Sequence, residues 1–217
     1  NLFSNLSELC DVVIFRGNHD QTSRSNSETI DFLFPVLYKL ESKNKIHVLN
    51  KTGSYIYGNL IFGYTDVYEN NVYKINGHND KIKIGLWHGT INGSKIDNNY
   101  NELDGKFNQG DFKGYDYVLL GDIHKFQYLN KDKTIAYCGS PLQLNFGENI
   151  IGHGYLKWDL KKKTSEHVHI KNNYGFFTMR IKNNKMEKYD KTIIPYNINL
   201  RIIHENCEIE FITKIYD

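Results

Sequence analysis

Val12-Val13-Ile14-Phe15 is followed, one residue on, by Gly17-Asn18-His19-Asp20, which sets an amide, an imidazole and a carboxylate behind a short apolar run. A β-branched run of that length reads as a buried strand. The pattern recurs twice. Lys83-Ile84-Gly85-Leu86-Trp87 leads into His88-Gly89, and Tyr117-Val118-Leu119-Leu120-Gly121 leads into Asp122-Ile123-His124. Three strands thus carry nitrogen or oxygen ligands at their carboxyl ends, the edge where open α/β sheets bind ligands. The fold class expected is therefore α/β. Imidazoles, a carboxylate and an amide oxygen together suit a borderline or hard divalent cation such as manganese or zinc.

The 217 residues suffice for one full core and a small second unit. A hydrophobic share of 40% and a charged share of 24% are ordinary for a globular chain. The net charge of +2 is too small to argue by itself for a nucleic-acid binder. Cys10, Cys138 and Cys207 are odd in number, far apart and without a CxxC pair. They read as free thiols in a reducing compartment, with Cys10 and Cys138 expected to be buried. No signal peptide is visible, and no apolar run approaches the ~18 residues that a membrane span needs. The Asn5-Leu6-Ser7 sequon is discounted as a chance triplet. The chain starts on Asn1, inside what reads as the tail of a helix, and residues 208–217 read as a strand cut short. Truncation at both ends is the expectation.

Between the three clusters, Ile30, Leu33, Phe34, Leu37 and Leu40 recur at helical spacing, which predicts a helix over 28–41 with Pro35 as a kink or the first turn of a second helix. The polar loop 21–27 should lie near the ligands. Residues 46–49, 54–57 and 60–64 read as strands, the last two joined by a tight turn at Gly58-Asn59. Residues 89–114 read as one long loop between ligand-bearing strands, and such loops are often functional. Residues 155–160 and 166–170 alternate around Lys161-Lys162-Lys163 and predict a hairpin, the lysines being most simply a solvated turn, with a DNA-phosphate contact as the alternative. Residues 176–181 and 197–203 begin something new.

Each ligand candidate has an ordinary alternative. A lone histidine after a strand is more often a surface or core residue. His47, His78, His167, His169 and His204 are read that way, and Trp87 and Trp158 as core. Three strand-end clusters in succession point instead to phosphate-ester hydrolysis at two metal ions. Asn18, His88, Asp122 and His124 are the candidate metal ligands. His19, next to a ligand, should face the substrate and donate a proton to the leaving oxygen or stabilise developing charge. Asp20 should orient His19 or pin the loop backbone.

Gly17-Asn18-His19-Asp20, Trp87-His88-Gly89 and Gly121-Asp122-Ile123-His124 resemble motifs three, four and five of the calcineurin-like metallophosphoesterases. The run Tyr137-Cys138-Gly139-Ser140-Pro141-Leu142-Gln143-Leu144-Asn145-Phe146-Gly147-Glu148 resembles the SbcD-type branch, as do His153-Gly154-Tyr155 and Trp158-Asp159. The flavour is that of phage and large-virus versions. The resemblance implies a four-layer sandwich of two mixed sheets flanked by helices. It implies a metallophosphoesterase domain over 1–171, incomplete at its amino end, and the start of a small capping domain over 172–217. By position, Asn18, His88 and Asp122 would serve one metal, His124 the other, and His19 would be the catalytic histidine. Two divalent ions are implied, manganese first, with zinc, iron(II) or magnesium as alternatives. So are DNA as substrate, an SMC-like ATPase subunit as partner, a homodimer, an intracellular setting in cytoplasm or nucleus, and a role in double-strand-break repair as exonuclease or endonuclease.

Two departures matter. The family usually has histidine where this chain has Asp122. Its first two motifs, which supply most ligands of the first metal, should precede residue 1, so the chain alone is expected to be inactive. Two rivals remain open: a phosphomonoesterase acting on nucleotides or phosphoproteins, and a non-catalytic scaffold with a degenerate site.

Overall fold

The computed structural model describes residues 2–22, 31–97 and 102–216. The chain is mixed α/β, with several sheets and few helices. It divides into two compact units. The first comprises Asn1–Lys95, Asn101–Ile123 and Gln127–Cys138, and the second Ile96–Tyr100, His124–Phe126 and Gly139–Asp217. Residues 139–171 and 172–217 belong to the same unit of this division. No helix among the described residues is long and apolar enough to cross a membrane.

The first unit opens with α1 (Leu2–Ser7), β1 (Val12–Phe15), α2 (Leu33–Tyr38) and β2 (Ile46–Leu49). β1 and β2 form a parallel pair, Val12 opposite Ile46 and Phe15 opposite Leu49. β3 (Gly53–Tyr57), β4 (Leu60–Thr65), β5 (Ile82–His88), β6 (Tyr117–Gly121), β7 (Gln127–Tyr128) and β8 (Ile135–Tyr137) form one sheet in the order β3-β4-β5-β6-β8-β7. Its four inner strands are parallel and its two edges antiparallel. Inner parallel strands are covered on both faces, which is why β4 to β6 are near-continuous apolar runs.

The register sorts the side chains. Trp87 pairs with Leu120, while His88 pairs with Gly121 on the opposite face. Trp87, Val118 and Leu120 pack with Ile91, Phe107, Phe112 and Tyr137 into the main core. The other face carries Tyr64, whose ring meets Phe15 of β1 at 5.6 Å. His88 therefore emerges on the side that faces the end of β1.

Several expectations change. The helix expected over 28–41 is limited to α2 within the described residues, 28–30 lying outside them. Asp31 sets its start, its Oδ1 accepting from the Leu33 and Phe34 amides at 2.9 Å, and Pro35 sits in the first turn, where no amide hydrogen is needed. The loop over 89–114 is pinned into the core: Ile91 bridges Phe107, both buried, and Gln109–Phe112 form a 3-10 turn. Residues 98–101 of that loop, and 23–27 of the loop over 21–27, lie outside the described residues. Cys10 and Cys138 are exposed, not buried. Trp87 is core, but Trp158 is only half-buried.

The second unit contains β9 (Gly154–Asp159) and β10 (Thr164–His169), the hairpin foreseen around Lys161-Lys162-Lys163. Asp159 shapes its turn by accepting from the Lys161 and Lys162 amides. β11 (Tyr174–Lys182), β12 (Lys185–Met186) and β13 (Asn197–Glu205) form a sheet in the order β12-β11-β13, with β11 and β13 parallel. A strand is expected over 208–217, yet Ile209–Tyr216 is a helix, α3. Ile209, Phe211 and Ile215 alternate like a strand, but Glu210 in the first turn and Lys214 in the last favour a helix through its dipole and an i,i+4 pair.

Candidate metal centre

In the first unit, the ends of β1, β5 and β6 deliver Asn18, His88 and Asp122 to one place. His88 Nε2 lies 3.1 Å from Asn18 Oδ1 and 3.7 Å from Asp122 Oδ1. Donors about 2.1 Å from a common ion lie roughly 3–3.5 Å apart; the Asn18 contact falls within that span and the Asp122 contact slightly beyond it. The set is one imidazole, one carboxylate and one amide oxygen. Among the described residues no group of three or more His, Cys, Asp or Glu is placed to hold a metal ion, and this trio contains only two such residues.

Glycine makes the approach of the imidazole feasible. A Cβ on Gly17 would stand 2.7 Å from His88 Cε1, and one on Gly121 2.6 Å from His88 Nδ1. The ring lies between two bare backbones. Gly17 opens the tight turn that the sequence suggests, the Asp20 amide reaching the Gly17 carbonyl at 3.2 Å, and it also provides clearance for His88. Asp122 adopts φ +90°, a region that asparagine and aspartate enter more readily than other side chains. Its Oδ2 accepts from Thr90 Oγ1 at 3.3 Å. Tyr137 braces the same segment, donating to Gly89 O at 2.7 Å and accepting from Ile91 N at 2.9 Å. Burial pushes the Tyr137 phenol up to about 12, helped by the Asp122 charge and opposed by the Ile91 amide and Ser94, so it stays a donor.

The loop after β1 is held from below. Arg16 Nη2 meets Asp66 Oδ2 at 2.7 Å and Nη1 meets Asp31 Oδ2 at 3.3 Å. The Tyr64 hydroxyl reaches Asp66 Oδ2 at 3.2 Å and the Arg16 carbonyl at 3.4 Å. Burial opposes the Arg16 charge, but Asp66 and Tyr64 outweigh it and hold the guanidinium above its ordinary value. Asp20 Oδ2 accepts from the Gly17 amide at 2.7 Å. Of its two expected roles, Asp20 thus takes the pinning of the loop backbone, as a positioning residue. His19 is exposed.

His124 belongs to the second unit. Its Nδ1 lies 2.8 Å from Glu148 Oε1. A carboxylate can only accept, so Nδ1 carries a proton, and in the neutral ring Nε2 holds the lone pair that a metal requires. Glu148 is itself held by Asn145 Nδ2 at 2.7 Å and the Leu144 amide at 2.9 Å. Glu148 closes the Gly139 to Glu148 run, but its place there gives no hint of this role. Thr90, Tyr137, Arg16 and Asp66 escape sequence reasoning altogether, since a partner across the fold leaves no local spacing signal. His47 packs against Tyr57 with ring centroids 3.9 Å apart, and His78 and His204 are exposed, in line with their ordinary reading.

No family model matches the chain. It is 39% identical, over 217 residues covering 95% of its length, to an uncharacterized protein of Acanthamoeba polyphaga mimivirus. The chain spans 16% of the length of that relative, so its similarity is to one stretch of a longer, virus-encoded polypeptide.

Proposed function

We propose that this chain carries part of the active site of a metal-dependent phosphodiesterase of the SbcD type, acting on DNA. The observation that carries the reading is the convergence of Asn18, His88 and Asp122 at the carboxyl edge of parallel strands. In the second unit, Glu148 engages His124 Nδ1, which orients that ring for a ligand at Nε2. The β1–β2 pair facing the six-stranded sheet within the first unit supports the four-layer sandwich as the fold. Manganese is the proposed metal, because mixed oxygen and imidazole donors suit it. Bound there, it would supply Lewis-acid stabilisation of phosphoryl oxygens. His88 and Asp122 would hold it, Thr90 and Tyr137 hold the Asp122 segment, and His19 would move a proton at the leaving oxygen. An SMC-like ATPase is the proposed partner of the full-length polypeptide.

The test compares manganese-dependent hydrolysis of linear duplex DNA and of an aryl phosphate monoester by the full-length polypeptide. DNA cleavage is expected. Cleavage of the monoester alone would replace this reading with the phosphomonoesterase one. Two variants probe the metal directly by calorimetry. His88→Ala removes the central donor and should weaken manganese binding by at least tenfold. Gly121→Ala retains every donor but drives a methyl into the His88 ring, and should weaken it about 10–100-fold, as supporting-residue changes do. Unchanged affinity in both variants would remove this cluster from metal binding.

A further inference from the structure

The second unit contains an open groove of about 610 Å³, bounded by residues 150–153, by the link from β10 to β11, and by residues 192–196 ahead of β13. Apolar side chains line it without being covered. Ile151 and Tyr196 are 62% and 92% exposed, and Ile170, Tyr174 and Ile193 are exposed as well. Single apolar residues scattered over a surface need no explanation, but five on one concavity mark a binding surface. The floor is fixed. Gln143 Nε2 donates to the Phe176 and Glu148 carbonyls at 3.0 Å, and its Oε1 accepts from the Phe176 amide at 2.7 Å. His153 is held between Ser140 Oγ at 3.0 Å and the Asn149 carbonyl at 2.7 Å. The walls are joined where the Asn197 amide donates to the Asn173 carbonyl at 2.7 Å. Gly175 lets them close up, since a Cβ there would stand 2.9 Å from Gln143 Oε1 and 3.0 Å from Pro195 Cγ. A groove held in this way needs little ordering when a ligand arrives.

We propose that this groove docks a short extended segment of a partner protein, one that carries apolar side chains and a carboxylate. The exposed isoleucines and tyrosines supply the apolar contact. The polar groups left for a ligand are carboxamides. Asn172 donates from Nδ2 to the Pro141 carbonyl at 3.0 Å and keeps its Oδ1, and the Asn173 side chain has no hydrogen bond among the described residues. A carboxamide offers both a donor and an acceptor, the two groups that a peptide backbone must satisfy. Charge completes the choice. Lys171 is the single lysine or arginine of the lining, no aspartate or glutamate lines the groove, and no ion pair engages Lys171 among the described residues. A carboxylate on the ligand complements it. Other ligands fit less well. A nucleic acid needs a track of cations, and here there is one. A lipid chain would leave the carboxamides without partners.

Docking is read without hydrolysis, so its test is independent of the nuclease reading. A random heptapeptide library displayed on phage is selected on the full chain, with Ile193→Asp, which puts a charge into the groove, as the counter-target. The selected peptides should share apolar residues beside an aspartate or glutamate. Tyr196→Ala, at a position too exposed to support the fold, should weaken a synthetic peptide of that consensus about tenfold, the scale of a lost aromatic anchor. Lys171→Glu should weaken it about fivefold and, as the target of a fresh selection, should turn the consensus basic. No consensus beyond that of the counter-target, a consensus without an acidic residue, or an acidic consensus retained on Lys171→Glu would each overturn the proposal. A peptide that binds the chain but not the full-length polypeptide would show the groove filled by another segment of that polypeptide, which overturns a separate partner. A dimer in sedimentation that Tyr196→Ala dissolves would give the groove to a second copy and overturn it too.

Discussion

His19→Ala, made in the full-length polypeptide, should lower manganese-dependent phosphodiester turnover by about 10²- to 10⁴-fold, the usual range for losing a general acid or base. Manganese affinity by calorimetry should stay within about twofold. The split follows from position. His19 directly succeeds Asn18, which contacts His88, yet its own ring is exposed and it is absent from the trio that draws together. Its backbone is fixed from both sides, because the Gly17 amide binds Asp20 Oδ2 and the Asp20 amide reaches the Gly17 carbonyl at 3.2 Å. Removal of an exposed ring from a loop pinned in this way should leave the fold and the donors in place. His19→Gln, which retains a hydrogen-bond donor but cannot deliver a proton, should recover little. A fall in metal affinity matching the fall in turnover would make His19 a ligand and not a proton donor.

The contrast with Asp20 shows what the sequence could reveal. The four residues Gly17-Asn18-His19-Asp20 announce a site, because polar groups gathered behind an apolar strand have few other uses. The strands themselves are legible for a similar reason. Short β-branched runs bounded by glycine and polar residues have one simple reading. The pattern leaves the division of labour open. Asp20 could orient a neighbour or pin the backbone, and the 2.7 Å contact to Gly17 is the pinning one. Gly121 reads as no more than the end of a strand, yet its missing side chain is the clearance for His88, which β5 sets opposite it. Such facts live in register and layer stacking, which composition does not encode.

Ambiguous periods account for the other misses. Residues 208–217 satisfy both a two-residue and a helical period, and end charges settle the matter in favour of the helix. The stretch over 89–114 reads as a polar loop because its apolar residues are widely spaced. Ile91, Phe107 and Phe112 nonetheless fill the core beside Trp87, with ring centroids of Trp87 and Phe107 4.7 Å apart. A few well-placed anchors can bury a segment that has no regular pattern at all.

Arg16→Met should destabilise the first unit by about 3–5 kcal/mol, read as a fall in urea midpoint, because it strands buried carboxylates that the guanidinium now neutralises. The side chains of Arg16, Asp66 and Asp31 are only 10%, 7% and 16% exposed, so water cannot replace the lost partner. Asp66 would keep the Tyr64 hydroxyl and the Tyr68 amide, neither of which carries a charge. Asp31 would keep its two amides at the start of α2. The double variant Arg16→Met with Asp66→Asn should be more stable than the two single losses added together, since removing both charges of a buried pair spares the cost of leaving one unpaired. The same ion pair lies immediately before Gly17 in the chain, and Tyr64 links it to the Arg16 carbonyl. Slack there should pass to Asn18 and loosen its 3.1 Å contact with His88. Arg16→Met should therefore also weaken manganese binding at temperatures where the variant is still folded, while the double variant recovers stability more fully than metal affinity. Additive losses in the double variant would show that Arg16 and Asp66 act separately, and would dissolve the link from the buried ion pair to the metal cluster.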